Sequence, residues 1–227
     1  MRIIPLGQKA ASAFTPASIA GLVGWFDAAQ LTGYADGAAI SSWTDLSGNG
    51  NHAVQATGAL QPFYKAVAVN GLPAVRNGQG GIINYLVSPL SVSQPNSIAI
   101  MAQQTSSAGE QRIIDTGSAS RQLLDYNHSG PEFIMLAGSV QGGGTPSVAL
   151  HQMTAVFNGA SSVLRVDGSA ITLGGSPGSN GLTSPGIGGS SMASWFVGYI
   201  CEVAFYSAAL TGPQIASLES YLVGKWG

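Results

Sequence analysis

Past residue 20 or so, the chain alternates short runs of apolar and β-branched residues with clusters of turn formers. Ile98–Ala102, Arg112–Asp115, Gln122–Asp125 and Phe133–Leu136 are of strand length. Between them lie Ser106–Gly109, Gly117–Ser120 and Asn127–Pro131, so the pattern predicts a β-meander. Met153–Phe157 and Val163–Asp167 follow. Asn158-Gly159 and Asp167-Gly168 stand where tight hairpins need positive φ. The clearest strand covers Val197–Ser207: Val197, Tyr199, Cys201, Val203 and Phe205 are apolar, while Gly198, Glu202 and Ala204 are small or charged. Its odd positions are therefore expected to face a core, with Ile200 and Tyr206 departing from the alternation. Thr211-Gly-Pro-Gln214 has the form of a capping box. Ile215, Leu218, Leu222 and Trp226 follow at helical spacing, which predicts one amphipathic C-terminal helix.

Ahead of the first strand-like run, Leu22–Ala28, no sustained period is present. Residues 1–20 mix Pro5, Gly7 and Pro16 with Ala and Ser and are expected to form an extended N-terminal arm, leaving 21–227 as a single sandwich domain. Ile3, Ile4, Leu6 and Phe14 give the arm apolar contacts to lay on a neighbouring subunit; a frayed terminus is the plain alternative. Gly142–Gly144 and the glycine-rich stretch from Gly174 to Ser191 are expected to be surface connections. No repeat of solenoid or propeller length and no linker to a second domain is evident.

Composition changes this picture in three ways. Only 8% of the 227 residues are charged and the formal charge is −2, so the surface must be nearly neutral. The basic residues are scattered singly, which argues against a nucleic-acid partner, because phosphates are neutralised by clustered Lys and Arg. Low charge also lets copies pack closely and suits a protein held in an assembly. Cys201 is the single cysteine, so no internal disulfide can form, and its place in an apolar run predicts a buried thiol. No run of 18 apolar residues offers a membrane span, and Pro5 interrupts the N-terminal apolar run before it resembles a signal segment.

Candidate chemistry is sparse. Trp25, Trp43, Trp195 and Trp226 are natural core anchors; Trp195, beside the glycine-rich stretch, and Tyr199 are the candidates for a sugar-binding platform. Asp45-Leu-Ser-Gly-Asn-Gly-Asn51 offers several oxygens but lacks EF-hand spacing. It reads better as a turn in which Gly48 and Gly50 take positive φ while Asp45 and Asn49 cap backbone amides. Asp27 and Asp45 are the weak metal candidates, and neither a metal site nor a cofactor is assigned. Glycoside hydrolysis needs two carboxylates, yet Glu202 stands alone on its strand. Asp27, Asp36, Asp45, Glu110, Asp115, Asp125, Glu132, Asp167 and Glu219 are spread singly. His52, His128 and His151 are isolated too, and no G-x-S-x-G elbow occurs. No catalytic residue is assigned, and the chain is expected to be non-enzymatic.

A series of landmarks adds a resemblance. Trp25-Phe-Asp-Ala28, Ser42 to His52, Asn70 to Val75, Phe157-Asn-Gly159, Val166-Asp-Gly168, Phe196 to Tyr206 and Leu210-Thr211 occur in order. Together they resemble the laminin-G-like, concanavalin-A-type jelly rolls, and in particular the modules of that type found in tailed-phage and bacterial particle-surface proteins. The resemblance implies an all-β concanavalin A-like jelly-roll β-sandwich. It further implies a virion structural protein, most simply a capsid decoration protein on the particle surface. Such a protein would have the major capsid protein as partner and would self-associate, with a trimer guessed from capsid symmetry. The alternatives it leaves open are a carbohydrate-binding adhesin that holds a glycan and, least favoured, a glycoside hydrolase.

Overall fold

The turn clusters fold the alternating runs into two antiparallel eight-stranded sheets and a two-stranded ribbon, Ser91–Val92 with Leu182–Thr183, in a computed structural model that describes residues 14–118, 120–127, 130–191 and 195–227. One sheet runs in the order Ser169–Ile171, Val163–Val166, Leu150–Phe157, Asn96–Gln104, Gly198–Tyr206, Leu72–Asn77 and Phe63–Val69; Leu22–Asp27 pairs with the later half of Gly198–Tyr206. The other runs Val140–Gly143, Phe133–Leu136, Leu123–Tyr126, Gln111–Asp115, Gly186–Ile187, Leu86–Val87, Ala53–Val54 and Ser42–Trp43. The inner faces supply the core, including Phe26, Trp43, Ile98, Ile100, Tyr126, Phe157, Phe196 and Phe205, all fully buried. An edge-to-face contact of Phe26 with Trp43 (5.9 Å) joins the sheets, and one with Phe205 (6.1 Å) packs Phe26 within its own sheet. The chain is an all-β sandwich, and its one α-helix among the described residues is Gly212–Trp226.

That helix is docked by charge as well as by Leu218, Leu222 and Trp226, which are buried beneath it. Cross-strand register sets Asp27 opposite Glu202, and Lys225 reaches both carboxylates, at 2.6 and 2.7 Å. Glu202 is 0% exposed, and its oxygens also accept from Trp25 Nε1 (2.7 Å), Tyr221 OH (3.0 Å) and Trp226 Nε1 (2.7 Å). A buried carboxylate is tolerable only with such a complete set of donors.

Four expectations about local structure need correction. Ile98–Ala102 does not belong to the meander: Asn96–Gln104 lies in the first sheet, and Gln111–Asp115, Leu123–Tyr126 and Phe133–Leu136 pair in succession in the second. Asn158 is not in a tight hairpin: φ is −150°, and a 3-10 turn, Gly159–Ser161, spans the gap. Asp167 and Gly168, at φ 49° and 76°, do form one. Neither glycine-rich stretch is merely connection: Gly142 and Gly143 end the strand Val140–Gly143, opposite Ile134 and Phe133, and Gly186–Ile187 inserts into the second sheet between Gln111–Asp115 and Leu86–Val87. The strand Gly198–Tyr206 does not keep its odd positions inward throughout. Its register against Asn96–Gln104 shifts between Ile200 and Glu202, so Ile200 faces the core before the bulge and Val203 and Phe205 after it. Tyr199 is thereby turned to the outer face and is half-buried.

Of the expected arm, Ile3, Ile4 and Leu6 lie outside the described residues. Phe14 packs edge-on against Tyr221 of the chain's own helix at 6.1 Å, Pro16 and Ile19 are buried, and Tyr206 OH donates to Pro16 O at 3.1 Å. The segment from Phe14 onward is part of the sandwich.

Candidate functional site

The outward turn of Tyr199 completes a row of side chains across the first sheet. Directly opposed residues of an antiparallel pair share a face. Phe63 opposes Arg76, Arg76 opposes Tyr199, Tyr199 opposes Gln103, and Gln103 opposes Leu150. All five are half-buried, whereas their inward neighbours Val75, Ile200 and Ala102 are buried in the core. The row thus crosses five strands on the outer face. Arg76 lies over the Tyr199 ring with its guanidinium carbon 5.0 Å from the centroid, and its Nη1 donates to Thr105 Oγ1 at 2.7 Å. Gln103 Nε2 donates to the Val148 carbonyl at 3.0 Å. Leu150 closes the row at a cavity of about 280 Å³ that it lines with Met101, Gln152, Asp167, Val223 and Gly227 at the end of the helix.

Trp195, the other expected platform residue, is not in this row. It bridges to Gly189 in the connection leading into Gly198–Tyr206 and is half-buried. Its indole Nε1 finds no hydrogen-bond partner among the described residues. Neighbouring Val197 links the two regions: its amide donates to Gln111 Oε1 (2.7 Å) and its carbonyl accepts from Thr105 N (2.8 Å).

Carboxylates isolated in sequence are gathered by register on the second sheet. Arg112 opposes Asp125 across a bulge; its Nε and Nη2 donate to Glu110 at 3.0 and 3.1 Å, and its Nη1 to Asp115 at 3.1 Å. Asp115 also accepts from Ser190 Oγ (2.9 Å) and Gly117 N (3.0 Å), and Asp125 accepts from Gln111 N (3.0 Å). Burial opposes the charge on Arg112. Its hydrogen bonds to Glu110 and the charges of Glu110, Asp115 and Asp125 outweigh that and hold its pKa above the ordinary value. Both aspartates are fully buried, and Glu110 keeps partial contact with solvent.

The Asp45 loop is the turn expected of it, except that among the described residues Asn49 caps no amide and instead donates Nδ2 to Leu22 O and Ser47 Oγ, both at 3.0 Å. Gly48 and Gly50 have φ of 85° and 75°. The Asp45 oxygens accept from the amides of Trp25 (2.9 Å), Ser47 (2.8 Å) and Asn51 (2.9 Å) and from Ser47 Oγ (2.8 Å). Donors occupy the carboxylate that a cation would need. His52 Nδ1 accepts from Asp45 N at 3.0 Å, and His128 lies outside the described residues.

The chain matches no protein-family model, and no curated protein matches it in sequence. Its fold is similar to several solved structures. Against Trypanosoma rangeli sialidase the TM-score is 0.56 at 16% identity, over 89% of this chain and 33% of that one. Against domain 4 of a GH43 extracellular arabinanase from Geobacillus stearothermophilus, in complex with arabinotriose, it is 0.56 at 16% identity, over 87% of this chain and 98% of that one. Against a mutant GH54 α-L-arabinofuranosidase soaked with 4-nitrophenyl α-L-arabinofuranoside it is 0.62 at 13% identity, over 83% and 51%. The chain spans about a third of the sialidase chain, about half of the arabinofuranosidase and nearly the whole arabinanase domain. At these identities the likeness carries the fold.

These matches correct the expectation of a non-enzymatic capsid decoration protein, because the similar sandwiches come from glycoside-processing proteins. Carboxylates spread singly along the sequence are also brought together, since strand register sets Asp27 beside Glu202 and gathers Glu110, Asp115 and Asp125 around Arg112. The capsid partner, the trimer and the particle-surface location rested on that assignment and are not carried further.

Proposed function

We propose that this chain is a carbohydrate-recognising sandwich of jelly-roll type that serves glycan hydrolysis, with the saccharide lying along the row from Phe63 to Leu150. The observation that carries the reading is the row itself: two half-exposed aromatic rings flank a guanidinium, followed by an amide and an aliphatic end, in cross-strand register. Sugar rings offer apolar C–H faces that stack on aromatics and hydroxyls that pair with guanidinium and amide groups. Five strands about 4.8 Å apart give a strip roughly 19 Å long, enough to meet several linked sugar residues. Trp195, half-buried in the connection leading into Gly198–Tyr206, stands at the same end of the strand as a secondary contact. The near-neutral surface suits a neutral polymer, and the arabinanase domain similar to this chain over almost all its length is one bound to arabinotriose.

Isothermal titration calorimetry with arabinotriose and a panel of other oligosaccharides tests the reading. Saturable binding to at least one of them is expected. Tyr199→Ala and Phe63→Ala should each weaken it about tenfold, which corresponds to about 1.4 kcal/mol, with Trp195→Ala weakening it less. Absence of saturable binding across the panel defeats the proposal.

A further inference from the structure

Ser147, His151 and Asp167 form a hydrogen-bonded chain that the saccharide row does not use. Asp167 opens the hairpin turn, and two bonds to Gln152 fix its position: its amide donates to Gln152 O at 2.9 Å, and its Oδ1 accepts from Gln152 N at 2.9 Å. That leaves Oδ2 at 2.7 Å from His151 Nδ1. The His151 side chain is 10% exposed and packed against the Phe133 ring at 5.1 Å and the Tyr126 ring at 6.3 Å, both edge-on, so its orientation is set by its neighbours. Its Nε2 faces Ser147 Oγ at 3.0 Å, and the Ser147 amide also points to this nitrogen, at 3.4 Å. Ser147 is exposed in the connection before Leu150–Phe157, and Ala149 N donates to its Oγ at 3.1 Å.

We infer that this trio is a second, nucleophilic site that takes small acyl esters. With Asp167 accepting the Nδ1 proton, Nε2 is the acceptor for the Ser147 hydroxyl, the tautomer that a serine nucleophile requires. Ser147 Oγ bonds to the ester carbonyl carbon as its proton passes to Nε2; the ester C–O bond then breaks and the leaving alcohol takes that proton. Water repeats the sequence on acyl-Ser147, freeing the acid and restoring the hydroxyl. The Ala149 amide favours the developing alkoxide. Ser147 is exposed on the connection before Leu150–Phe157, so short acyl groups on accessible alcohols are the class that fits. The chain has no strand-to-helix elbow here, so the arrangement is legible only once the hairpin returns Asp167 to the start of the strand.

The test is the rate at which diisopropyl fluorophosphate modifies each serine of the full chain, read by peptide mass spectrometry, with exposed Ser107 as internal reference. Ser147 should react about tenfold or more faster than Ser107, and Asp167→Asn and His151→Gln should each remove that advantage. 4-Nitrophenyl acetate should give a burst of nitrophenol that Ser147→Ala abolishes. Should His151→Gln fail to fold, Asp167→Asn, at a half-exposed position, decides. A Ser147 no faster than Ser107, or one as fast in Asp167→Asn as in the unaltered chain, overturns the inference and leaves saccharide binding untouched.

Discussion

Four hydrogen-bond donors converge on the two oxygens of Glu202, and one of them is the ammonium of Lys225. Replacing it with Gln keeps the shape but leaves Lys225 with Asp27 alone and turns two acceptor lone pairs into donors facing donors. Removing one partner of a buried ion pair typically costs about 3 kcal/mol or more. Chemical denaturation of Glu202→Gln is expected to show that loss at an unchanged slope. At this scale the sequence was informative wherever a residue's role is local. Asp45, Gly48 and Gly50 declare a turn through their spacing, and Asp45 does cap the amides of Ser47 and Asn51. Phe63, Arg76 and Gln103 could not be recognised as partners of Tyr199, because their proximity depends on registers between strands tens of residues apart. Ser147, His151 and Asp167 were hidden for the same reason.

Among the elements, the strand Gly198–Tyr206 is the instructive case. Ile200 interrupts the alternation, and that interruption is the trace of the bulge that turns Tyr199 outward; a strict period-two reading places Tyr199 in the core. The helix Gly212–Trp226 was legible in full, since its capping box and its i, i+3, i+7 apolar spacing are both local. Gly186–Ile187 was not, because glycine-rich sequence signals connection, whereas here the absence of a side chain is what admits the strand. A Cβ at Gly186 would lie 1.9 Å from Gly189 O. Gly186→Ala is therefore expected to displace the strand. Hydrogen exchange should show protection lost along Gln111–Asp115 and Leu86–Val87, and unchanged exchange there would refute the close-approach argument.

Across the whole molecule, the low charge count concentrates polar chemistry in a few buried knots, and several phenols are sealed among them. Burial pushes up the pKa of Tyr126, with the Asp167 charge adding to it; burial and the Glu202 charge do the same for Tyr206 and Tyr221. A raised folded-state pKa means that the protonated form belongs to the fold. Their contribution to stability is whole below the ordinary phenol value of about 10 and is lost as pH climbs from there toward the folded values. An alkaline titration followed by ultraviolet absorbance and circular dichroism should show the tyrosinate of these three residues appearing only together with unfolding. Ionisation of all seven tyrosines in an intact fold would contradict the burial that the sandwich imposes.

Carbohydrate recognition along the outer row is tested most directly by nuclear magnetic resonance of the labelled chain titrated with arabinotriose and, in parallel, with the other oligosaccharides of the panel. The row predicts saturable amide shifts at Phe63, Arg76, Gln103, Leu150 and Tyr199, residues that share nothing but their cross-strand register, with smaller shifts near Trp195. Shifts confined to other surfaces, or none that saturate with any saccharide, would contradict it.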